Sequence, residues 1–190
     1  MNDTEIALLF KKARERRGLT QKDVSEKLSY SSQTISLWEI GKVFPKLDSV
    51  FAFCDALKFD PYSFLRGVLV DTTHSYVYQN DVVVCFLLER MEKDNISKSD
   101  LEGILNVSRP TLRKLLKGEV VLAINQYLAL AQYLNFDVAA PFTLEKDAED
   151  LNRFKKQQKR FPLYVGLSAV GLVLLSGILC LTLIPRGALS

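Results

Sequence analysis

The chain has 190 residues, of which 48% are hydrophobic and 25% are charged, and its formal net charge is +3. This composition indicates a folded protein of one or two small domains and excludes a disordered polycation. Binding to nucleic acid would therefore require a local basic surface. The three cysteines and the single histidine form no disulfide or metal-ligand pattern. The sequence contains no catalytic constellation and no cofactor motif, so neither an enzyme nor a cofactor or metal site is expected.

Residues that typically begin or end helices mark two helices near the N-terminus. An amphipathic helix is predicted over 4–17, with Gly18 closing it. Thr20 is predicted to cap a second helix over 21–28, with Asp23 three residues later in the capping-box position. These signals place two short helices in immediate succession.

Three more helices are predicted before residue 66. A turn over 29–31 precedes a third helix over 32–40. Gly41 ends the third helix and Pro45 forbids its continuation, so a separate fourth helix is expected over 47–57. Pro61 favours the start of a short fifth helix. The N-terminal 65 residues therefore read as a five-helix unit.

The same pattern recurs 77 residues later without a gap. The segment LTQKDVSEKLSYSSQTISLWEIGK from Leu19 aligns with ISKSDLEGILNVSRPTLRKLLKGE from Ile96. A repeat that keeps its register through helices and turns indicates one small fold used twice. We therefore predict two domains, copy one over 1–65 and copy two over 81–142, joined by an ordered or semi-ordered connector over 66–80.

Copy two repeats the capping signals of copy one. Asp81 is expected to cap the first helix, Ser97 the second with Asp100 as its capping-box partner, and Asp137 the last turn. The helices are expected over 82–94, 98–105, 109–117 and 124–134. Each copy has about 60 residues, which is near the lower limit for a self-sufficient core.

Copy one resembles the lambda-repressor/Cro-like (Xre) family of helix-turn-helix domains over residues 5–65. The resemblance rests on the pattern LTQ-x2-hydrophobic-x3-L-x2-S-x2-TIS-x-WE-x-GK-x2-P. It implies a five-helix domain that binds DNA.

Copy two is a weaker match to the same family, over 82–142. Leu115 and Leu116 replace the family's Trp-Glu pair, and Glu102 stands where the family has a small residue. A bulky charge at that position is expected to strain the close approach of the second and third helices. The resemblance thus predicts a divergent second helix-turn-helix domain.

The resemblance implies that the third helix of each copy enters the major groove while the second helix crosses the phosphates. In copy one the candidate DNA contacts are Gln21, Ser32, Gln33, Ser36, Leu37, Lys42 and Lys46. Gln33 can bond bidentately to adenine, and Leu37 can contact a thymine methyl group. Arg14 and Arg17 are further candidates for phosphate contacts.

The third helix of copy two is more basic at the equivalent positions. Its outward residues are Arg109, Pro110, Arg113 and Lys114, with Lys117 just beyond them and Lys98 in the place of Gln21. Arg109 or Arg113 could read guanine. Basic residues are also typical of any solvated helix face, so DNA binding, dimerisation and protein contact all stay open for copy two.

The C-terminal part of the chain has the composition of a membrane anchor. Residues 143–160 are acidic first and basic last, and residues 161–184 carry no charge. At about 1.5 Å per residue, a helix of this length crosses a hydrocarbon core of about 30 Å. Basic residues precede the span and only Arg186 follows it, which places the N-terminus in the cytoplasm. A tail-anchored protein with residues 185–190 outside is expected.

The sequence therefore predicts an all-α protein: two tandem five-helix helix-turn-helix domains followed by a single C-terminal transmembrane helix. We expect a membrane-anchored, sequence-specific DNA-binding transcriptional regulator in the bacterial cytoplasmic (inner) membrane. Its expected partners are double-stranded DNA and the inner membrane, while a homodimer and a protein partner both stay open.

The alternative is a membrane-tethered helix-turn-helix scaffold that binds a cytoskeletal or signalling protein. The RodZ family of rod-shape proteins is similar in outline. It has one helix-turn-helix and a periplasmic domain, and this chain departs from it on both counts.

Overall fold

The computed structural model describes residues 1–143, and the parts of the predicted juxtamembrane segment, transmembrane helix and tail beyond residue 143 lie outside the described residues. The described part is helical and has no strand beyond two isolated β-bridges. Its helices are α1 Asp3–Arg16, α2 Gln21–Leu28, α3 Ser32–Glu39, α4 Leu47–Leu57, α5 Pro61–Leu65, α6 Asn80–Lys93, α7 Lys98–Leu105, α8 Arg109–Leu116, α9 Ile124–Tyr133 and α10 Ala140–Thr143. None of the helices within residues 1–143 has the length and apolar character that a membrane span needs.

The sequence repeat is also a structural repeat. Helices α1, α2 and α3 recur as α6, α7 and α8, with both ends of each helix shifted by 77 residues. The residue after α2 and the residue after α7, Ser29 and Asn106, both adopt the left-handed conformation, with φ of 57° and 49°. The predicted α-helical class and the tandem arrangement are therefore present in the described residues.

The two predicted capping boxes are confirmed. The amide of Asp23 donates to the Thr20 hydroxyl (3.1 Å), and the amide of Thr20 donates to the Asp23 carboxylate (2.7 Å). Ser97 and Asp100 exchange the same bonds at 3.2 and 3.0 Å. Hydrogen bonds from the capping residue lower the pKa of both aspartates, which keeps them ionised at the positive end of each helix.

One predicted cap in copy two is wrong, and another is confirmed with an additional partner. Helix α6 begins at Asn80, one residue before the predicted cap Asp81, and Gln79 is its N-cap. A tertiary contact sets this helix start. The Asn80 side chain donates to the Gly118 carbonyl (3.0 Å) and so attaches the start of α6 to the end of α8. The Asp137 carboxylate accepts a hydrogen bond from the Ala139 amide (3.3 Å), as predicted for a cap of the last turn, and it also accepts one from Arg66 of copy one (3.0 Å).

The two copies are joined by a reciprocal pair of backbone hydrogen bonds. The amide of Leu47 donates to the Leu122 carbonyl, and the amide of Ile124 donates to the Pro45 carbonyl, both at 2.9 Å. Leu47 and Ile124 are equivalent positions in the repeat, and so are Pro45 and Leu122. Each copy therefore makes the same bond to the other, which is the signature of a two-fold interface.

The copies also share one hydrophobic core. A single cluster of buried side chains runs from Ile6 in copy one to Leu134 in copy two. At the joint, the Phe51 ring packs 5.1 Å from Phe142 and 5.3 Å from Tyr78, measured between centroids. This joint explains how units of about 60 residues, each marginal alone, form a stable core together.

The connector is ordered and packs on copy one. The amide of Asp60 donates to the Val70 carbonyl (2.8 Å), and the amide of Thr72 donates to the Lys58 carbonyl (3.1 Å). Further along, the Tyr76 ring lies 5.1 Å from Tyr62. The connector is therefore ordered against α4 and α5 of copy one, as the sequence allowed.

Candidate nucleic-acid interface

Helix α3 presents the predicted reading residues of copy one on its outer side. Its inner side is buried through Ile35 and through Trp38, whose ring lies 5.8 Å from Phe10 of α1. The Ser31 hydroxyl caps the helix by accepting from the Thr34 amide at 3.0 Å. The candidate contacts are placed as follows: Ser32, Gln33, Lys42 and Lys46 are exposed, and Gln21, Ser36 and Leu37 are half-buried.

A buried ion pair fixes α1 to the end of α3. Arg14 Nε lies 2.6 Å from Glu39 Oε1, and the second guanidinium branch lies 2.8 Å from Oε2. Arg14 also donates to the Leu19 carbonyl (2.8 Å), and Gln21 donates to Glu39 (2.9 Å). The hydrogen bond to Glu39 raises the pKa of Arg14. The prediction of Arg14 as a phosphate contact is therefore wrong, because its donors are used internally.

Arg17 is likewise a structural residue and not a phosphate contact. Its guanidinium donates to the Leu57 and Lys58 carbonyls at 2.6 and 2.7 Å. It also pairs with Asp71 of the connector (2.7 Å) and lies 4.1 Å from the centroid of the Phe59 ring. Arg17 thus ties α1 to the connector and the end of α4.

Helix α8 presents a basic face at the equivalent positions of copy two. Leu112, Leu115 and Leu116 bury its inner side, while its candidate contacts Arg109, Arg113, Lys114 and Lys117 are exposed, as is Lys98 at the start of α7. Lys117 Nζ lies 3.9 Å from Glu119. For Lys98, Arg113 and Lys114, residues 1–143 provide no acidic partner within 4 Å. These three cations are free to meet phosphates or bases.

Glu102 of α7 forms an ion pair with Arg109 of α8, but its buried Oε1 has no hydrogen-bond partner among the described residues. Its Oε1 lies 3.4 Å from Arg109 Nε. The equivalent Ser25 in copy one is buried and donates to the Lys22 carbonyl (2.7 Å). The predicted strain leaves the bounds of α7 and α8 unchanged relative to α2 and α3. Glu102 nevertheless places a negative charge beside the reading helix and engages Arg109.

We expect Glu102→Gln to strengthen DNA binding by about 3- to 10-fold at 0.1 M salt, since it removes a negative charge near the phosphates and releases Arg109. Fluorescence anisotropy with a labelled duplex measures this. The matched control is Glu92→Gln, an exposed glutamate on α6, which should leave the affinity unchanged. Equal affinities for both variants and the parent would mean that this end of α8 stays away from DNA.

Two exposed apolar residues next to α3 escaped the sequence analysis. Ile40 is 58% exposed and Val43 is 44% exposed, on either side of Lys42. Their position after a polar reading face suits contact with sugars or thymine methyl groups. Ile40 lies at the end of α3 and Val43 lies in the following loop, and only their exposure distinguishes them from core residues.

Each copy matches a family model of helix-turn-helix domains. A family model described as a helix-turn-helix domain matches residues 5–62, and one described as a Cro/C1-type helix-turn-helix DNA-binding domain matches residues 87–140. The first match contains α2 and α3, and the second contains α7 and α8. No curated protein and no solved structure gives a significant match to the chain.

Proposed function

Because this chain carries two helix-turn-helix domains of the Cro/C1 type in tandem, we propose that it is a sequence-specific DNA-binding regulator of transcription. The observation that carries the proposal is the pair of exposed reading helices, α3 and α8, each held by the same scaffold. A DNA-binding role for both helices also explains why the outward side of α8 keeps cations without acidic partners.

The exposed side chains define how each helix would read DNA. In copy one, Gln33 at the start of α3 would bond to adenine in the major groove. In copy two, Arg113 would bond to the two acceptors of guanine. The N-termini of α2 and α7, where Gln21 and Lys98 lie, would face the flanking phosphates, since free backbone amides and the helix dipole favour anions there.

The proposal includes a site of action at the inner face of the bacterial cytoplasmic membrane. It rests on the uncharged stretch 161–184 and on the basic residues before it. These residues would form a single span with the two helix-turn-helix domains in the cytoplasm. The bound operator would then have to come to the membrane surface.

Genome-wide DNA crosslinking of the full-length chain tests the DNA-binding part of the proposal. We expect discrete enriched sites that share a sequence motif. The double variant Gln33→Ala, Arg113→Ala should lose them, because both proposed base contacts are removed without touching the core. Absence of enriched sites in the parent would overturn DNA binding and favour the protein-scaffold alternative.

A version ending at Lys156, studied beside the full-length chain, tests the membrane part separately. The full-length chain should sediment with membranes, and the shortened version should remain in the supernatant. Recovery of the full-length chain in the supernatant would overturn the anchor and leave the DNA-binding proposal intact. Comparing the crosslinked sites of the two versions shows which sites depend on the anchor.

A further inference from the structure

The loops that follow the two reading helices meet at a local two-fold relation. Helix α3 ends at Glu39 and α8 at the equivalent Leu116, and each is followed, six to eight residues later, by the segment that makes the reciprocal backbone bonds. The reciprocal bonds therefore relate the segments that follow α3 and α8 by a local two-fold relation. In dimeric helix-turn-helix repressors a two-fold relation likewise connects two reading helices, which come from two separate chains.

The joint between the copies is filled from within the chain. The backbone pair is flanked by the Phe51–Phe142 contact and by the Arg66–Asp137 hydrogen bond. Since this surface already carries the other copy, a second chain cannot use it without separating the two copies. The relation between α3 and α8 is therefore set inside one molecule.

The two reading faces differ at every equivalent position. Gln33 is replaced by Pro110, whose side chain has no donor or acceptor, so the adenine contact of copy one has no counterpart in copy two. Ser36 is replaced by Arg113, which can bond to guanine. The two copies thus share a two-fold backbone arrangement, while the exposed side chains of α3 and α8 differ.

Resting on the proposed function, we infer that one molecule of this protein binds, without a second chain, an operator made of two unlike half-sites about one helical turn apart. The half-site of copy one contains an A·T pair read by Gln33. The half-site of copy two contains a G·C pair read by Arg113. Homodimers of helix-turn-helix proteins instead select half-sites that mirror each other.

This inference is tested by binding-site selection: the full-length chain, in detergent micelles, selects duplexes from a pool of random sequences. We expect enrichment of two different half-sites with centres about 10 base pairs apart, and one chain per duplex by native mass spectrometry. Gln33→Ala should erase the preference in one half-site only, and Arg113→Ala in the other only.

Matched controls are Gln132→Ala on α9 and Lys93→Ala on α6, both at exposed positions outside the reading helices. They should leave both preferences intact. Symmetric duplexes built from two copies of either selected half-site give the decisive comparison. Each should bind at least about 10-fold more weakly than the natural order of two unlike half-sites, because each mismatched base pair lowers the affinity severalfold or more.

The outcomes separate the inference from the proposed function. A mirror-symmetric site occupied by two chains, or a single half-site alone, would overturn the inference while leaving sequence-specific DNA binding in place. A pool without any enriched sequence would overturn the proposed function, and the inference with it.

Discussion

Glu39→Leu alone should destabilise the protein by about 3–5 kcal/mol, because it leaves the Arg14 guanidinium buried without its carboxylate partner. The Glu39 side chain is only 3% exposed and that of Arg14 is 13% exposed, so water cannot replace the lost interaction. The double variant Arg14→Met, Glu39→Leu should recover most of this loss, since well-packed apolar residues can replace a buried ion pair at little cost.

The sequence of copy two gives a reason to expect that the double variant regains stability. At the positions equivalent to Arg14 and Glu39, copy two has Met91 and Leu116, and both are largely buried in the shared core. Both members of the pair have thus been exchanged together on the same backbone. The double variant gives copy one the same apolar pair, Met and Leu, that copy two has at the equivalent positions.

Urea unfolding followed by the fluorescence of Trp38 measures the effect, because Trp38 is the only tryptophan and lies next to Glu39. Arg14→Met completes the double-mutant cycle. The control Glu26→Leu, at an exposed position of α2, should change stability by no more than about 0.5 kcal/mol. A double variant as unstable as Glu39→Leu would show that copy one depends on the ion pair itself.

The double variant Lys98→Ala, Lys114→Ala should lower DNA affinity by about 10- to 100-fold and reduce the slope of log K against log salt by about 2. Both lysines are exposed on the side of copy two that faces DNA in the proposed complex. Each cation placed on a phosphate releases condensed counterions, and this release produces the dependence on salt.

The repeat again offers the matched comparison. The equivalent double variant in copy one, Gln21→Ala with Leu37→Ala, removes uncharged contacts, so it should lower affinity while changing the slope much less. Titrations of both variants between about 50 and 300 mM salt measure the two slopes. An unchanged slope in the copy-two variant would contradict the prediction, because it would mean that Lys98 and Lys114 do not contact phosphates.

Local signals predicted most of the helices. Thr20 with Asp23, and Ser97 with Asp100, form bonds within four residues of sequence, so the pattern alone fixes the helix starts. The start of α6 was missed because it depends on Asn80 bonding to Gly118, a residue far along the chain. Boundaries set by tertiary hydrogen bonds leave no local signature.

In the candidate DNA interface, too, features set by nearby residues could be predicted and features set by distant residues could not. The outward positions of α3 and α8 follow from helical periodicity. Arg14 and Arg17 were misassigned because a basic residue at a helix end resembles a phosphate contact, and their partners Glu39 and Asp71 lie 25 and 54 residues away. The joint between the copies could not be predicted, because its reciprocal bonds use backbone atoms, which every sequence provides.

Covalent linkage of the two copies changes how the reading surface can evolve. In a homodimer every substitution appears twice, so a change that suits one half of a site is imposed on the other. In this chain the proline at 110 and the glutamate at 102 each appear once, and copy one keeps Gln33 and Ser25. Because the two copies lie in one chain, a substitution in one copy leaves the other unchanged, so the two copies can differ in the sequence that they would bind.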